Sequence, residues 1–248
     1  MTHSSTAARL IEATDHLREA VAPLRFASPV TAVYQPLAYA RASHEAYLRR
    51  FATGPKRVLL LGMNPGPWGM AQTGIPFGEV PAVRDWMGID EPIGKPEPEH
   101  PKRPIEGLAC ARSEVSGRRL WGLMARRFGT AQEFFRDHFV ANYCPLVFME
   151  ESGRNRTPDK LPAVERELLY AACDRWLSTA IELLRPHWVV GVGGFARSRI
   201  DAVLRAAGTH ITTQPNPLTI LHPSPANPRA NRDWEGEVVT TLTEAGVW

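Results

Sequence analysis

Polar residues follow the ends of four short apolar runs, and their types limit the chemistry that they could do. Asn64 and Asn142 are carboxamides, His222 is an imidazole, and Gly193-Gly194 would open a helix. The two carboxamides and a neutral imidazole donate and accept hydrogen bonds without carrying charge. No Asp, Glu, Ser or Cys occupies these positions, which disfavours a hydrolytic triad and a pair of catalytic carboxylates. The sequence therefore predicts a neutral, hydrogen-bonding site.

The four apolar runs predict buried strands separated by helices. Strands are expected at Arg57–Met63, His138–Cys144, His187–Gly193 and Leu218–His222. Helices are expected at Ser5–Val21, Ser43–Phe51, Ser116–Phe128, Thr157–Leu184, Phe195–Ala207 and Trp234–Ala245, with a short turn capped by Thr130. Because parallel strands need crossovers that cover both faces, this alternation predicts an α/β fold, a three-layer α/β/α sandwich with a central four-stranded parallel sheet.

The carboxyl ends of parallel strands meet at one edge of the sheet, where such folds bind ligands. Taken singly, each residue has an ordinary explanation. Asn64 precedes a proline and could start a turn, Asn142 could cap a strand end, and His222 could be a core histidine. Together they would share one crevice with the helix start at Gly193-Gly194. This convergence makes them the candidate site.

Length and composition indicate a single domain over residues 1–248, with residues 1–25 as a peripheral N-terminal helix. The chain is 44% hydrophobic and 22% charged, as is typical of globular proteins. Its apolar runs are too short to cross a membrane, and its N-terminus lacks the apolar segment of a signal peptide. We expect a cytoplasmic monomer.

The cysteines and the charge pattern limit the possible partners. Cys110, Cys144 and Cys173 form no CxxC motif, which argues against a disulfide framework and a four-thiolate metal site, and we expect no metal and no cofactor. The net charge of +3 is too small to indicate nucleic acid by itself. Five prolines within Asp90–Pro104 predict an extended loop. Residues 102–136 carry eight bases against three acids, which could form a binding face or only a solvated helix face.

A neutral site suits a reaction whose leaving group departs with negative charge and is replaced by water. Cleavage of the bond between a nucleobase and its sugar has this character. His222 could donate an N–H to the oxygen of the departing base, and Asn64 could orient the water. Phe77, in GIPFG, could offer a ring for base stacking or could be an ordinary core residue.

Longer motifs around these residues resemble those of a known family. The matching segments are GMNPGPWGMAQTGIPFGEV (62–80), HPKRP (100–104), SEVSGRRLWG (113–122), NYCPL (142–146), SGRNRTP (152–158), VVGVG (189–193) and HPSPANPRAN (222–231). From about Pro29 onward the chain resembles the SMUG class of single-strand-selective monofunctional uracil-DNA glycosylases. The N-terminal helix lies outside this resemblance.

The resemblance implies the uracil-DNA glycosylase fold and hydrolytic removal of uracil from single- or double-stranded DNA, without metal or cofactor. It implies that Asn64 positions the water and that His222 stabilises the departing base. It further implies that Asn142 reads the uracil edge and that Phe77 stacks on the ring.

The resemblance also implies the width of the pocket and its contact with DNA. Gly66 stands where related glycosylases have a bulky tyrosine, so 5-hydroxymethyluracil would be admitted, and Met63 and Met70 would complete the substrate-binding set. A wedge would enter the duplex as the nucleotide is flipped. Its residues would be Pro223, Ser224, Pro225, Ala226, Asn227, Arg229 and Asn231.

The chain departs from the family pattern in places. The wedge often carries an arginine where this chain has Ala226, and Arg229 or Arg232 could substitute for it. Tyr143 replaces a more usual aliphatic residue. Residues 154–155 could touch phosphate or simply form a turn.

Two other functions stay open from the sequence. One is a glycosylase for other deaminated bases such as xanthine or hypoxanthine, and the other is a damage-binding protein without turnover. A zinc deaminase is excluded because its Cys/His cluster with PCxxC is missing. A bifunctional lyase would need an amine, and of the four lysines only Lys102, in the proline-rich loop, stays a candidate.

Overall fold

A computed structural model describes residues 5–208 and 214–248 of the chain. The α-helices are α1 (Thr6–Val21), α2 (Pro36–Tyr39), α3 (Arg41–Phe51), α4 (Met70–Thr73), α5 (Val115–Phe128), α6 (Ala131–Asp137), α7 (Ala163–Leu184), α8 (Gly194–Ala207) and α9 (Pro228–Glu244). The strands are β1 (Val30–Tyr34), β2 (Val58–Gly62), β3 (His138–Asn142), β4 (Val147–Glu150), β5 (Asn155–Arg156), β6 (Trp188–Val192) and β7 (Asn216–Ile220).

The central sheet has the strand order β3-β2-β6-β7, and each neighbouring pair is parallel. Leu60 in β2 pairs with Val140 on one side and Val190 on the other. Every residue of β2 and β3 is buried, as expected of strands covered on both faces. The predicted α/β fold with a four-stranded parallel sheet is confirmed.

The predicted strands have bounds that differ from the observed ones by one or two residues. Asn142 is the last residue of β3, and Gly193 directly follows β6. Asn64 and His222 stand two residues beyond β2 and β7. The four candidate positions therefore lie at the same edge of the sheet.

The structure also contains a second, smaller sheet that the sequence did not predict. It has the order β1-β4-β5, and both pairings are antiparallel. Its strands have two to five residues and contain no continuous apolar run of more than three residues, so the pattern used for the central strands did not predict them. The sheet matters for the site because it places Asn155 opposite Met149.

Three helix starts differ from prediction for identifiable reasons. The cap of α5 is Glu114 rather than Ser116, since the Glu114 carboxylate accepts the N–H of Gly117 at 2.8 Å. The long helix α7 begins at Ala163 instead of Thr157, because the prolines at 158 and 162 confine the preceding residues to a 3-10 turn. Helix α9 begins at Pro228 instead of Trp234, with an irregular backbone at Asp233.

The N-terminal helix is more than a peripheral element. Leu10, Leu17 and Val21 of α1 are buried in the main hydrophobic core, and Trp176 in α7 donates its indole N–H to Thr14 at 3.1 Å. Truncating α1 would therefore expose core residues. Within the described ranges, no helix combines the length and apolar character that a membrane crossing requires.

Candidate functional site

A cavity of about 380 Å³ opens at the carboxyl ends of the central strands. It brings together Asn64, Phe77, Asn142 and His222, the four residues to which sequence reasoning gave chemical roles. Of the other predicted site residues, it is also lined by Met63, Gly66, Ser224 and Pro225. This size is within the range of small-molecule sites. Of the strand-end residues predicted to converge, Asn64, Asn142 and His222 line the cavity, whereas Gly193 and Gly194 do not.

Asn142 presents a carboxamide that is almost completely buried and only half satisfied. Its Nδ2 lies 3.3 Å from the sulfur of Met70, which supports the carboxamide from behind without lining the cavity. Its Oδ1 has no hydrogen-bond partner among the residues that the structure describes. Buried polar groups are rarely left unpaired, so this oxygen marks a place where a ligand can supply a donor.

Phe77 lies beside Asn142 in a strained backbone conformation. Its φ of +54° is in the left-handed region, which residues other than glycine rarely adopt. The conformation is held by Trp121, whose indole N–H donates to the Phe77 carbonyl at 3.0 Å. Strain of this kind is found mostly at binding sites, where the surrounding structure fixes one ring position.

Gly62 allows the close approach of these two side chains. A Cβ added there would lie 2.2 Å from Asn142 Oδ1 and 2.6 Å from Phe77 Cε2. Only a residue without a side chain leaves room for both groups at the end of β2.

His222 is held as a neutral imidazole with a defined tautomer. The backbone N–H of Ser224 donates to Nδ1 at 3.1 Å, so the ring proton is on Nε2. Burial lowers the pKa of His222 below its ordinary value, which favours the neutral ring. Gly193, with φ of +92°, passes so close that an added Cβ would lie 3.1 Å from His222 Cβ. The site therefore offers an uncharged N–H donor.

Asn64 offers an acceptor to the cavity. Its Nδ2 donates to the Leu146 carbonyl at 3.2 Å, which anchors the carboxamide to the segment between β3 and β4. The amide oxygen is left for a ligand or a water molecule.

The predicted wedge residues form a short loop and the first turn of α9. Arg119 in α5 fixes this segment by donating to the Pro223 carbonyl at 3.0 Å and to Asn231 Oδ1 at 2.9 Å. Asn227 caps α9 through the N–H of Arg229 at 3.1 Å. The exposed tip consists of Pro225 and Ala226.

Neither candidate substitute for a wedge arginine stands at that tip. Arg229 is paired with Glu237 at 2.6 Å. Arg232 belongs to α9, beyond its first turn. The tip itself therefore offers only a proline ring and a methyl group.

Tyr143, which replaces a more usual aliphatic residue, does not line the cavity. Its hydroxyl donates to Asp174 in α7 at 2.7 Å, and Arg199 in α8 donates to that hydroxyl at 3.1 Å. The ring is completely buried. Tyr143 thus joins α7 to α8 directly behind Asn142.

Sequence reasoning missed or left open several residues that line the cavity: Pro67, Glu114, Ser116, Asn155 and Thr157. Glu114 is the most unexpected, because burial raises the pKa of its carboxyl group against the effect of its cap hydrogen bonds. Glu114 belongs to the SEVSG motif, in which the sequence predicted Ser116 as the helix cap. Asn155 and Thr157 come from the small sheet and the turn after it, which the apolar pattern did not predict.

Basic residues in the stretch from 102 to 136 have different surroundings. Arg126 and Arg136 are ion-paired with Glu235 and Glu133, so they are solvated helix-face charges. Arg112 and Arg103 instead place their guanidinium carbons 4.4 and 5.1 Å from the centre of the Trp68 ring.

The two arginines at Trp68 lie beside the cavity and keep their charge available. In the described part of the chain, neither forms an ion pair. Pro67 and Glu114 line the cavity. Trp68 directly follows Pro67, and Arg112 stands two residues before Glu114. We call Trp68, Arg103 and Arg112 the tryptophan–arginine cluster.

A family model matches most of the chain. It describes the uracil DNA glycosylase superfamily and covers residues 50–243. The chain belongs to the uracil DNA glycosylase superfamily. The resemblance inferred from the motifs is therefore confirmed.

Similar proteins from mammals cover nearly the whole chain. The single-strand selective monofunctional uracil DNA glycosylase of Mus musculus is 46% identical over 243 residues, which are 98% of this chain and 86% of that protein. The protein of the same name from Bos taurus is 47% identical over 233 residues, which are 94% of this chain and 83% of that protein. With 98% of the chain matched, most of the N-terminal helix belongs to the similarity, contrary to expectation.

The fold also has a solved counterpart. The crystal structure of wild-type SMUG2 from Pedobacter heparinus has a TM-score of 0.63 with this chain, covers 94% of this chain and 97% of its own, and is 15% identical. At this identity the likeness shows the common fold.

Proposed function

We propose that the chain hydrolyses the bond between uracil and deoxyribose in DNA and so begins base excision repair. The observation that carries this proposal is the buried Asn142 carboxamide, whose Oδ1 has no partner in the described part of the chain, in the same cavity as the neutral N–H donor of His222. The names of the mammalian relatives agree with this reaction.

Uracil matches the Asn142 carboxamide atom by atom. Its N3–H can donate to Oδ1, and its O4 can accept from Nδ2. Cytosine presents the reverse pattern, an acceptor at N3 and a donor at the exocyclic amine. The contact from Nδ2 to the sulfur of Met70 supports the orientation that reads uracil, because the sulfur is an acceptor. Phe77 offers its ring to the face of the base.

The reaction needs a stabilised leaving group and a positioned water. When the bond between C1′ and N1 breaks, its electron pair stays on the base, and negative charge grows on O2. His222 Nε2–H can donate to that oxygen without any proton transfer. The Asn64 amide oxygen can accept one O–H of the water, whose oxygen then forms the new bond to C1′. The water loses a proton to solvent, and the uracil anion takes one from solvent.

The proposed enzyme is monofunctional. In the described part of the chain, no lysine lines the cavity, so no side-chain amine is available there to form a Schiff base. The buried Lys56 amine donates to the Phe135 carbonyl in α6, near the amino ends of β2 and β3 and thus at the opposite edge of the sheet. Lys102, which the sequence left open, belongs to the segment beside the cluster and does not line the cavity.

We further propose that single strands are preferred and that the tryptophan–arginine cluster binds their phosphates. The two guanidiniums at Trp68 present positive charge beside the cavity, where the strand on either side of the flipped base must lie. The wedge tip at Pro225 and Ala226 has no long side chain to fill the gap that a flipped base leaves in a duplex. A base that is already unstacked avoids that cost.

We propose that 5-hydroxymethyluracil is also a substrate and that the chain acts as a monomer. Gly66 has no side chain, and a Cβ placed there would first meet the Glu114 carboxyl group at 3.6 Å. Asn64, Phe77, Asn142 and His222 already meet in one cavity of this chain, which supports a monomeric enzyme.

The proposal is tested with an end-labelled oligonucleotide that carries one uracil. The protein, incubated with it in the presence of EDTA, should release free uracil and leave a strand that breaks only after alkali. A matched oligonucleotide with cytosine at the same position is the control. Strand breakage without alkali would refute a monofunctional enzyme, and absence of free uracil would refute the proposed reaction.

A further inference from the structure

Glu114 places a carboxyl group in the wall of the cavity. Glu114 caps α5, and its Oε2 accepts the N–H of Gly117 at 2.8 Å. The other oxygen, Oε1, lies 3.6 Å from the point that a Cβ of Gly66 would occupy. Within the described ranges, no lysine or arginine forms an ion pair with it. Ser116 is a further hydrogen-bond partner of this carboxyl group, through its side chain and its backbone. The acid lines the ligand space, and Oε1 lies outside the cap hydrogen bond to Gly117.

The order of atoms around uracil decides which part of the base would meet this oxygen. In the proposed binding mode, His222 contacts O2 and Asn142 contacts N3 and O4. The next ring atom after C4 is C5. Beyond His222, Asn142 and Phe77, the lining of the cavity includes Gly66 and Glu114, which lie next to each other. Helix α5 also packs directly against Phe77. A Cβ added to Gly117 in α5 would lie only 2.1 Å from the Phe77 carbonyl oxygen.

We propose that Glu114 determines which substituents at C5 of the base are accepted. A hydroxymethyl group can donate its O–H to Oε1, whereas the methyl group of thymine would cover a polar oxygen without pairing it. Sites that hydrogen-bond a hydroxyl group discriminate strongly against an analogue that lacks it. This inference rests on the proposed function and adds a selectivity filter to it.

A purely structural role for Glu114, as the cap of α5, predicts a different outcome. Serine is also a good cap residue, so Glu114→Ser keeps the start of the helix while it withdraws the carboxyl group from the cavity. Glu114→Gln keeps the size of the side chain and a polar group that can bond a hydroxyl. Glu79→Gln is a control, because Glu79 is a buried acid that does not line the cavity.

The experiment measures single-turnover release of uracil, 5-hydroxymethyluracil and thymine from one oligonucleotide sequence. Glu114→Ser should lower the ratio of 5-hydroxymethyluracil to uracil release by roughly tenfold and raise the ratio of thymine to uracil release. Glu114→Gln and Glu79→Gln should change the first ratio by less than about threefold. Thermal melting of each variant shows whether α5 is intact.

Three outcomes would overturn the proposal. Equal loss of all three substrates in Glu114→Ser would show that Glu114 is only a cap. Unchanged ratios in that variant would show that C5 lies elsewhere. A wild-type protein that releases uracil but no 5-hydroxymethyluracil would also overturn it, and would leave the proposed function intact. A wild-type protein that releases no uracil would refute the proposed function itself.

Discussion

The replacement Gly62→Ala tests whether the close approach of Asn142 and Phe77 sets the activity. The new Cβ would lie 2.2 Å from Asn142 Oδ1 and 2.6 Å from Phe77 Cε2, whereas ordinary contacts begin at about 3.4 Å. The first neighbour must therefore move by about 1 Å, and the second must move by somewhat less. The backbone of Gly62 does not need glycine, since its φ is not in the left-handed region.

The expected effect is much larger on catalysis than on folding. A displacement of about 1 Å in a positioning group can lower the rate about 100-fold. Overpacking one methyl group in a buried strand costs about 1–3 kcal/mol of folding free energy, which leaves a typical domain folded. The variant should thus remain folded and lose most of its uracil release.

Single-turnover uracil release and thermal melting, measured side by side, separate these effects. Gly54→Ala is the matched control, because a Cβ at Gly54 would meet nothing within 4 Å. It should leave the rate and the melting temperature nearly unchanged. A Gly62→Ala variant that keeps the wild-type rate would refute the argument that the position of Asn142 limits the reaction.

Three further changes probe the histidine, the phosphate contacts and the base reader. For the wild type, kcat/KM should fall as pH drops through a pKa of His222 below 6.5, because burial disfavours the charged ring and a proton on Nδ1 would break the hydrogen bond from the Ser224 N–H. An acid limb at or above 6.5 would contradict this. Arg112→Ala should reduce the slope of log binding constant against log salt concentration, measured on single strands, by about 0.7. Arg126→Ala should leave this slope unchanged, because Arg126 is already paired with Glu235. Equal slopes for the two variants would show that the tryptophan–arginine cluster does not contact phosphate. Asn142→Asp should lower uracil release about 10- to 100-fold and could gain weak cytosine release, and near-normal uracil release would make Asn142 a mere strand-end residue.

The parts of the site that follow strand ends could be predicted from the sequence. Val58–Leu61 and Phe139–Ala141 are short apolar runs, and with their flanking turn residues they favour buried strands. Because the carboxyl ends of parallel strands converge, the meeting of Asn142 with His222 followed from topology alone.

The parts that depend on contacts between distant segments could not be predicted. The tautomer of His222 depends on one backbone N–H two residues away, and the need for glycine at position 62 depends on where Phe77 folds back. Glu114 and Asn155 enter the cavity from a helix cap and from a two-residue strand, and neither produces a periodic pattern. Local spacing carries no information about such approaches.

The most direct test of the central claim compares the wild type with His222→Ala on one single-stranded oligonucleotide that contains uracil. The claim is that a neutral N–H donor at His222 stabilises uracil as it leaves. Loss of such a donor should slow single-turnover uracil release about 100- to 1,000-fold, while the Kd for the oligonucleotide changes by less than about threefold. Uracil release by His222→Ala at the wild-type rate would contradict the account.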